Sequence, residues 1–173
     1  MNSPFLKINF GLFALCLTLI SCSTNLPGEL KEYSCRSGDC TYSFQENKQI
    51  EIIEDSTNQS TFINIQEGDK IVFKYQYVAD EEPNIADDEY LENIYFEIEP
   101  NAETFSFTDE QLADAKLVIQ PVCFCPPVVI EPRSGILSGT RLDESTWEVT
   151  LDATYQLYNE TNEISFDKKF VKN

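Results

Sequence analysis

One stretch constrains the fold more than any other. From Trp147 to Leu157 every odd position is apolar (Trp147, Val149, Leu151, Ala153, Tyr155, Leu157) and every even position is polar. Successive side chains of a strand point to opposite faces, so this period of two sets one face on a core and the other in water. A helix of the same residues would scatter its apolar groups around the axis. The tetrapeptide Asn159–Asn162 then reads as a turn, and Ile164–Val171 as the returning partner strand. Upstream, Gly135–Leu142 is expected to pair with the Trp147 strand through a turn at Asp143-Glu144-Ser145.

The same alternation marks shorter segments at Tyr42–Phe44, Gln49–Ile53, Thr61–Ile65, Lys70–Val78, Asn93–Glu99, Thr104–Phe107 and Lys116–Phe124. Ile71, Phe73, Tyr75 and Tyr77 share one face of their segment, and Ile94, Phe96 and Ile98 share another. Trp147, Phe73, Phe96 and Phe166 are the expected aromatic core. Thr108 to Gln111 has the spacing of a capping box and starts one or two helical turns reaching Ala115. Nine or ten short strands with one short crossover helix predict an all-β fold. The architecture expected is an antiparallel β-sandwich, with immunoglobulin-like topology as its nearest form and a closed barrel as the alternative.

The N-terminus points to export. Residues 1–9 carry one base, Lys7, and no acid, and Phe10–Ile20 is an apolar run of 11 residues. A membrane-spanning helix needs about 20 apolar residues, so this run suits the h-region of a signal peptide. It ends in Leu19-Ile20-Ser21-Cys22, which resembles the lipobox of bacterial lipoproteins. The resemblance implies cleavage before Cys22, a diacylglycerol on its thiol and a fatty acyl chain such as palmitate on its amine. It makes residues 1–21 a signal peptide and implies a chain lipid-anchored to a membrane of the bacterial cell envelope. Residues 22–32, with Pro27 and Gly28, then read as a lipidated tether, and residues 33–173 as a single β-rich domain. The leader holds one of the 12 basic residues and none of the 30 acidic ones, so its removal takes the net charge from −18 to −19. That charge repels phosphate backbones and excludes nucleic acid as a partner.

Apart from Cys16 in the leader and Cys22, four cysteines are left: Cys35, Cys40, Cys123 and Cys125. An even number in an exported chain reads as two disulfides. Ser37-Gly38-Asp39 is turn chemistry, which favours a local Cys35–Cys40 bridge. In an extended strand the Cα atoms of Cys123 and Cys125 would lie about 6.6 Å apart with parallel side chains. That geometry favours cross-links from each early cysteine to the Cys123-Phe124-Cys125 segment, so both pairings stay open. A four-thiolate zinc site does not fit these spacings.

No histidine is present, which removes the commonest general base and metal ligand. Asp80, Glu82, Asp87, Asp88 and Glu89 crowd a loop of about a dozen residues between two strands, where a solvated acidic loop is the default and Ca²⁺ the one cofactor its oxygen ligands would suit. Tyr77, Tyr90 and Tyr95 are candidates for a recognition patch beside it. The function expected is a non-enzymatic binding or structural module, with a protein or a glycan as its ligand. The alternatives are an envelope hydrolase using paired carboxylates and a subunit of an envelope assembly. Cys22→Ala is expected to abolish lipid labelling and to release the protein from the membrane fraction. A mature N-terminus without acyl mass at any other residue overturns the anchor.

Overall fold

The computed structural model describes Cys35, residues 38–55, Thr57, residues 60–80 and residues 89–173. The leader, Cys22 and the tether lie outside the described residues. Eight strands follow one another: β1 (Gly38–Asp55), β2 (Ser60–Ala79), β3 (Leu91–Ile98), β4 (Thr104–Thr108), β5 (Val118–Val122), β6 (Ser134–Asp143), β7 (Thr146–Leu157) and β8 (Glu160–Lys172). A 3₁₀ turn at Asp109–Ala113 separates β4 from β5.

The chain is all-β, as the alternation predicts. The strand count is lower than expected because two pairs of segments fuse. Tyr42–Phe44 and Gln49–Ile53 are both parts of β1, and Thr61–Ile65 and Lys70–Val78 are both parts of β2. At each junction the ladder bulges between Glu46 and Gln49 without breaking. Asn47 takes φ +57°, a conformation asparagine tolerates better than most side chains. Opposite it, a Cβ on Gly68 would come within 2.6 Å of the Gln49 side chain, so only glycine lets that side chain lie across the bend.

The strands form one mixed sheet in the order β4-β6-β7-β8-β1-β2-β3-β5. The topology therefore supports a single sheet rather than the two sheets of a sandwich or an immunoglobulin-like arrangement. Its edge strands β4 and β5 are not hydrogen-bonded to each other, which separates it from a closed barrel. Every neighbouring pair is antiparallel except β8 and β1, which run parallel and meet at two residue pairs only, Ser43–Val171 and Phe44–Lys172. Glu46 reinforces this narrow seam, accepting from Lys172 Nζ at 2.6 Å and from the Arg141 guanidinium at 2.6 Å. The Lys172 ammonium, and after it Arg141, holds the Glu46 carboxyl below the ordinary carboxylate range.

The sheet curls so that its two halves share one core. Phe96 of β3 lies 5.8 Å from Phe105 of β4, although these strands sit toward opposite edges. Phe73 of β2 meets Trp147 of β7 edge-on at 5.6 Å. Trp147, Phe73 and Phe96 are fully buried, and Phe166 is 2 % exposed, as alternation placed them. The segment after β4 carries the chain from one edge of the sheet to the other. Gln111 reaches back to accept the Thr108 N–H at 3.2 Å, and Leu112, Ala115 and Leu117 seal the core beneath the crossover. Trp147→Ala is expected to cost about 3–5 kcal/mol, the range for deleting a buried aromatic, in urea denaturation followed by circular dichroism. A loss under about 1 kcal/mol contradicts its position.

Candidate functional site

A cleft opens where two strands part company. The β6–β7 ladder begins at Ser134–Thr154, and the residues just before Ser134 diverge from β7. Pro132 has no N–H to continue the ladder. Ile130 is drawn away to β5, exchanging two hydrogen bonds of 2.8 Å with Ile119. Tyr155 to Leu157 pair with β8, and the far side of this stretch borders a groove of about 680 Å³. Val128, Ile130, Tyr155, Leu157 and Tyr158 make its walls apolar, and Arg133 and Glu131 stand at the rim 3.6 Å apart.

The hairpin tip bounding this groove differs from expectation. Tyr158 and Asn159 form a two-residue turn with φ +51° and +67°, the paired positive φ of a type I′ hairpin, and β8 starts at Glu160. The turn expected at Asn159–Asn162 is thus shorter and one residue earlier. Tyrosine at positive φ is uncommon, so nothing in its chemistry signals a turn. The tight reversal leaves Tyr158 73 % exposed beside the groove.

The cysteines pair locally. Cys35 meets Cys40 and Cys123 meets Cys125, both at disulfide distance, with Cα separations of 5.9 Å and 5.1 Å. The crossed pairing is not formed. The expected strand Lys116–Phe124 is shorter in the structure: β5 stops at Val122 and the chain bends through Cys123–Cys125, which shortens the Cα distance below that of an extended strand. Phe124, between the two sulfurs, is 89 % exposed. The register row Cys40–Tyr77–Glu92–Pro121 places the starts of β1 and β3 and the ends of β2 and β5 at one end of the sheet. The turn between β7 and β8 lies toward the same end, because β8 runs parallel to β1.

Two buried carboxylates went unseen in the sequence. Glu97 is 6 % exposed; its Oε1 pairs with Lys116 Nζ at 2.9 Å and its Oε2 accepts the Ile50 N–H at 2.6 Å. Lys116 also donates to the Ile50 carbonyl at 2.8 Å, so the ion pair grips both backbone groups of one β1 residue. Glu92 is 3 % exposed and shares the core face of β3 with Ile94, Phe96 and Ile98. Its Oε2 accepts the Tyr90 hydroxyl at 3.0 Å, whereas its Oε1 has no hydrogen-bond partner among the described residues. The alternation of β3 could have revealed Glu92, since it occupies an inward position. Glu92 and Glu97 face opposite sides of one strand, about 16 Å apart along it, so they are not the acid pair that glycoside hydrolysis requires.

Of the acidic loop, only Asp80 and Glu89 are described, and both are exposed; Glu82, Asp87 and Asp88 lie outside the described residues. Among the described residues no three cysteine, aspartate or glutamate side chains gather as a metal cage. Tyr77 and Tyr90 are neighbours, with ring centroids 6.3 Å apart. Tyr95 faces the other side of the sheet, with Lys74 Nζ 5.9 Å from its ring, so the three tyrosines do not form one patch. No family model, curated protein or solved structure matches this chain.

Burial pushes the Glu92 carboxyl above its ordinary value of 4.5, against the opposing hydrogen bond from Tyr90. As pH rises through 4.5 the unfolded chain releases this proton before the folded chain does, so stability falls until the raised folded value is passed. Glutamine has no proton to release. Glu92→Gln is therefore expected to be more stable than the parent at neutral pH, with the advantage vanishing below pH 4.5. Urea denaturation of both proteins across pH checks this, and a difference independent of pH contradicts it.

Proposed function

We propose that this chain is an exported lipoprotein, anchored to a membrane of the bacterial envelope through Cys22, whose β-module is a non-enzymatic binding element. The observation that carries the binding role is the apolar groove beside β7. Its volume of about 680 Å³ falls in the range of sites that engage ligands, and its tyrosines pair apolar faces with polar tips. Anchor and groove support one another. The lipobox predicts an oxidising compartment, and the two cysteine pairs at bonding distance suit one. The strongly negative net charge keeps a tethered module off an anionic lipid surface and leaves the groove open to a partner. The hydrolase alternative gains nothing from the two buried carboxylates, which open into different surroundings.

The test places a photo-cross-linking side chain at Tyr158 and, separately, at Glu144 in the turn at the opposite end of β7, in intact cells. Adducts are expected from position 158 alone, and they should disappear with Cys22→Ala, which removes the module from the membrane. Equal labelling from both positions overturns the groove as the binding surface. Adducts that persist with Cys22→Ala overturn the dependence on the anchor.

A further inference from the structure

Beyond the bulge at Glu46–Gln49, the paired halves of β1 and β2 leave the body of the sheet as a two-stranded arm. Its register is Ile50–Ile65, Ile52–Ile63 and Glu54–Thr61 on one face, with Glu51–Asn64 and Ile53–Phe62 on the other. β3 pairs with β2 only from Ile71 to Val78, and β8 meets β1 only at Ser43 and Phe44. Both outer edges of the arm are thus without a strand partner among the described residues. An isolated pair of strands is marginal in water, and an open edge is a template for pairing.

The two edges are not equivalent. At the base of the arm Glu97 and Lys116 occupy the N–H and C=O of Ile50, which blocks the β1 edge. This contact also fixes the hydrogen-bond phase. Ile50 turns its backbone groups away from β2, so its partner Ile65 turns its own away from β1, and Ile63 and Thr61 do the same. These three residues aim their N–H and C=O groups outward along the β2 edge.

That edge also carries no charge to repel a copy of itself. Charged residues make up 24 % of the chain, yet none falls between Ser60 and Gln66. We infer that two copies of this chain associate through their β2 edges, antiparallel about a two-fold axis at Ile63. In that register Ile63 pairs with its symmetry mate and Thr61 with Ile65, so the outward-facing groups meet as hydrogen-bonded pairs. On the outer face Phe62, 41 % exposed in the single chain, lies across from Asn64, with Ile53 at 42 % exposed beside it. No carboxylate opposes another across the junction, and the arms hold the acidic bodies apart. The inference does not depend on the lipid anchor or on the groove.

Sedimentation of the full chain in detergent, with the detergent contribution subtracted, is expected to show a dimer that dissociates on dilution. Phe62→Asp with Asn64→Asp sets like charges face to face twice and should weaken association about tenfold or more, as should Phe62→Lys with Asn64→Lys. An equimolar mixture of the two variants should restore a dimer containing one of each. Unchanged circular dichroism and Trp147 fluorescence show that the variants fold. A full chain that stays monomeric up to its solubility limit overturns the inference. So does a dimer that both double variants leave intact, or a mixture that recovers nothing.

Discussion

The fold depends on Phe73. A single sheet can bury one face only by curling until that face meets itself, and Phe73 is where the curl closes. Its ring stacks on Phe96 at 4.6 Å and meets Phe44, Phe105, Trp147 and Phe170 at 5.5 to 6.0 Å. Those residues come from β1, β3, β4, β7 and β8, so one side chain from β2 is in contact with most of the sheet. Each aromatic pair adds about 0.5–1.5 kcal/mol beyond the area it buries. Offset and edge-on geometries also fix how far the halves rotate against each other. The crossover below β4 can then be short, because Leu112, Ala115 and Leu117 have only the remaining gap to fill.

Electrostatics in so acidic a chain is decided by how its few cations are spent. Lys172 and Arg141 converge on Glu46 at the seam, and Lys116 neutralises Glu97 under the arm. The first arrangement reinforces the two-pair ladder between β8 and β1, and the second ties the arm of β1 to β3. Most acids need no such partner, because they point into water. Glu92 is the exception: it is buried, is hydrogen-bonded to a hydroxyl rather than a cation and is easier to bury with its proton than without it.

The all-β class, the C-terminal meander and the aromatic core were legible because alternation reports burial directly. Trp147, Val149 and Leu151 faced inward as their parity required. What alternation cannot carry is the order in which strands become neighbours. A parity pattern is the same in a sandwich, a barrel or one curled sheet, and here the choice lay in contacts between residues far apart in sequence. Bulges were hidden for a related reason. Asn47 and Gly68 look like turn residues, yet they sit opposite one another and bend a hairpin that continues through them. The groove was illegible because it is made by a ladder that fails to continue, at Pro132. The Cys123–Cys125 pair stayed open because that segment reads as extended, whereas β5 ends at Val122.

The parallel seam between β8 and β1 has a consequence for how the chain matures. Four of the other six ladders join strands consecutive in sequence, and hairpins such as β1–β2 and β7–β8 close over short loops with little entropic penalty. The seam instead joins Phe44 to Lys172, and Asn173 adds its N–H to the Phe44 carbonyl at 3.0 Å. A ribosome delivers β1 first and these residues only after the other seven strands. Until then the body edge of β1 waits uncovered while the aromatic face beside it lacks Phe166 and Phe170. Closing the core therefore waits on β8, and a nascent chain stalled before it would present to quality control a hairpin with its core open.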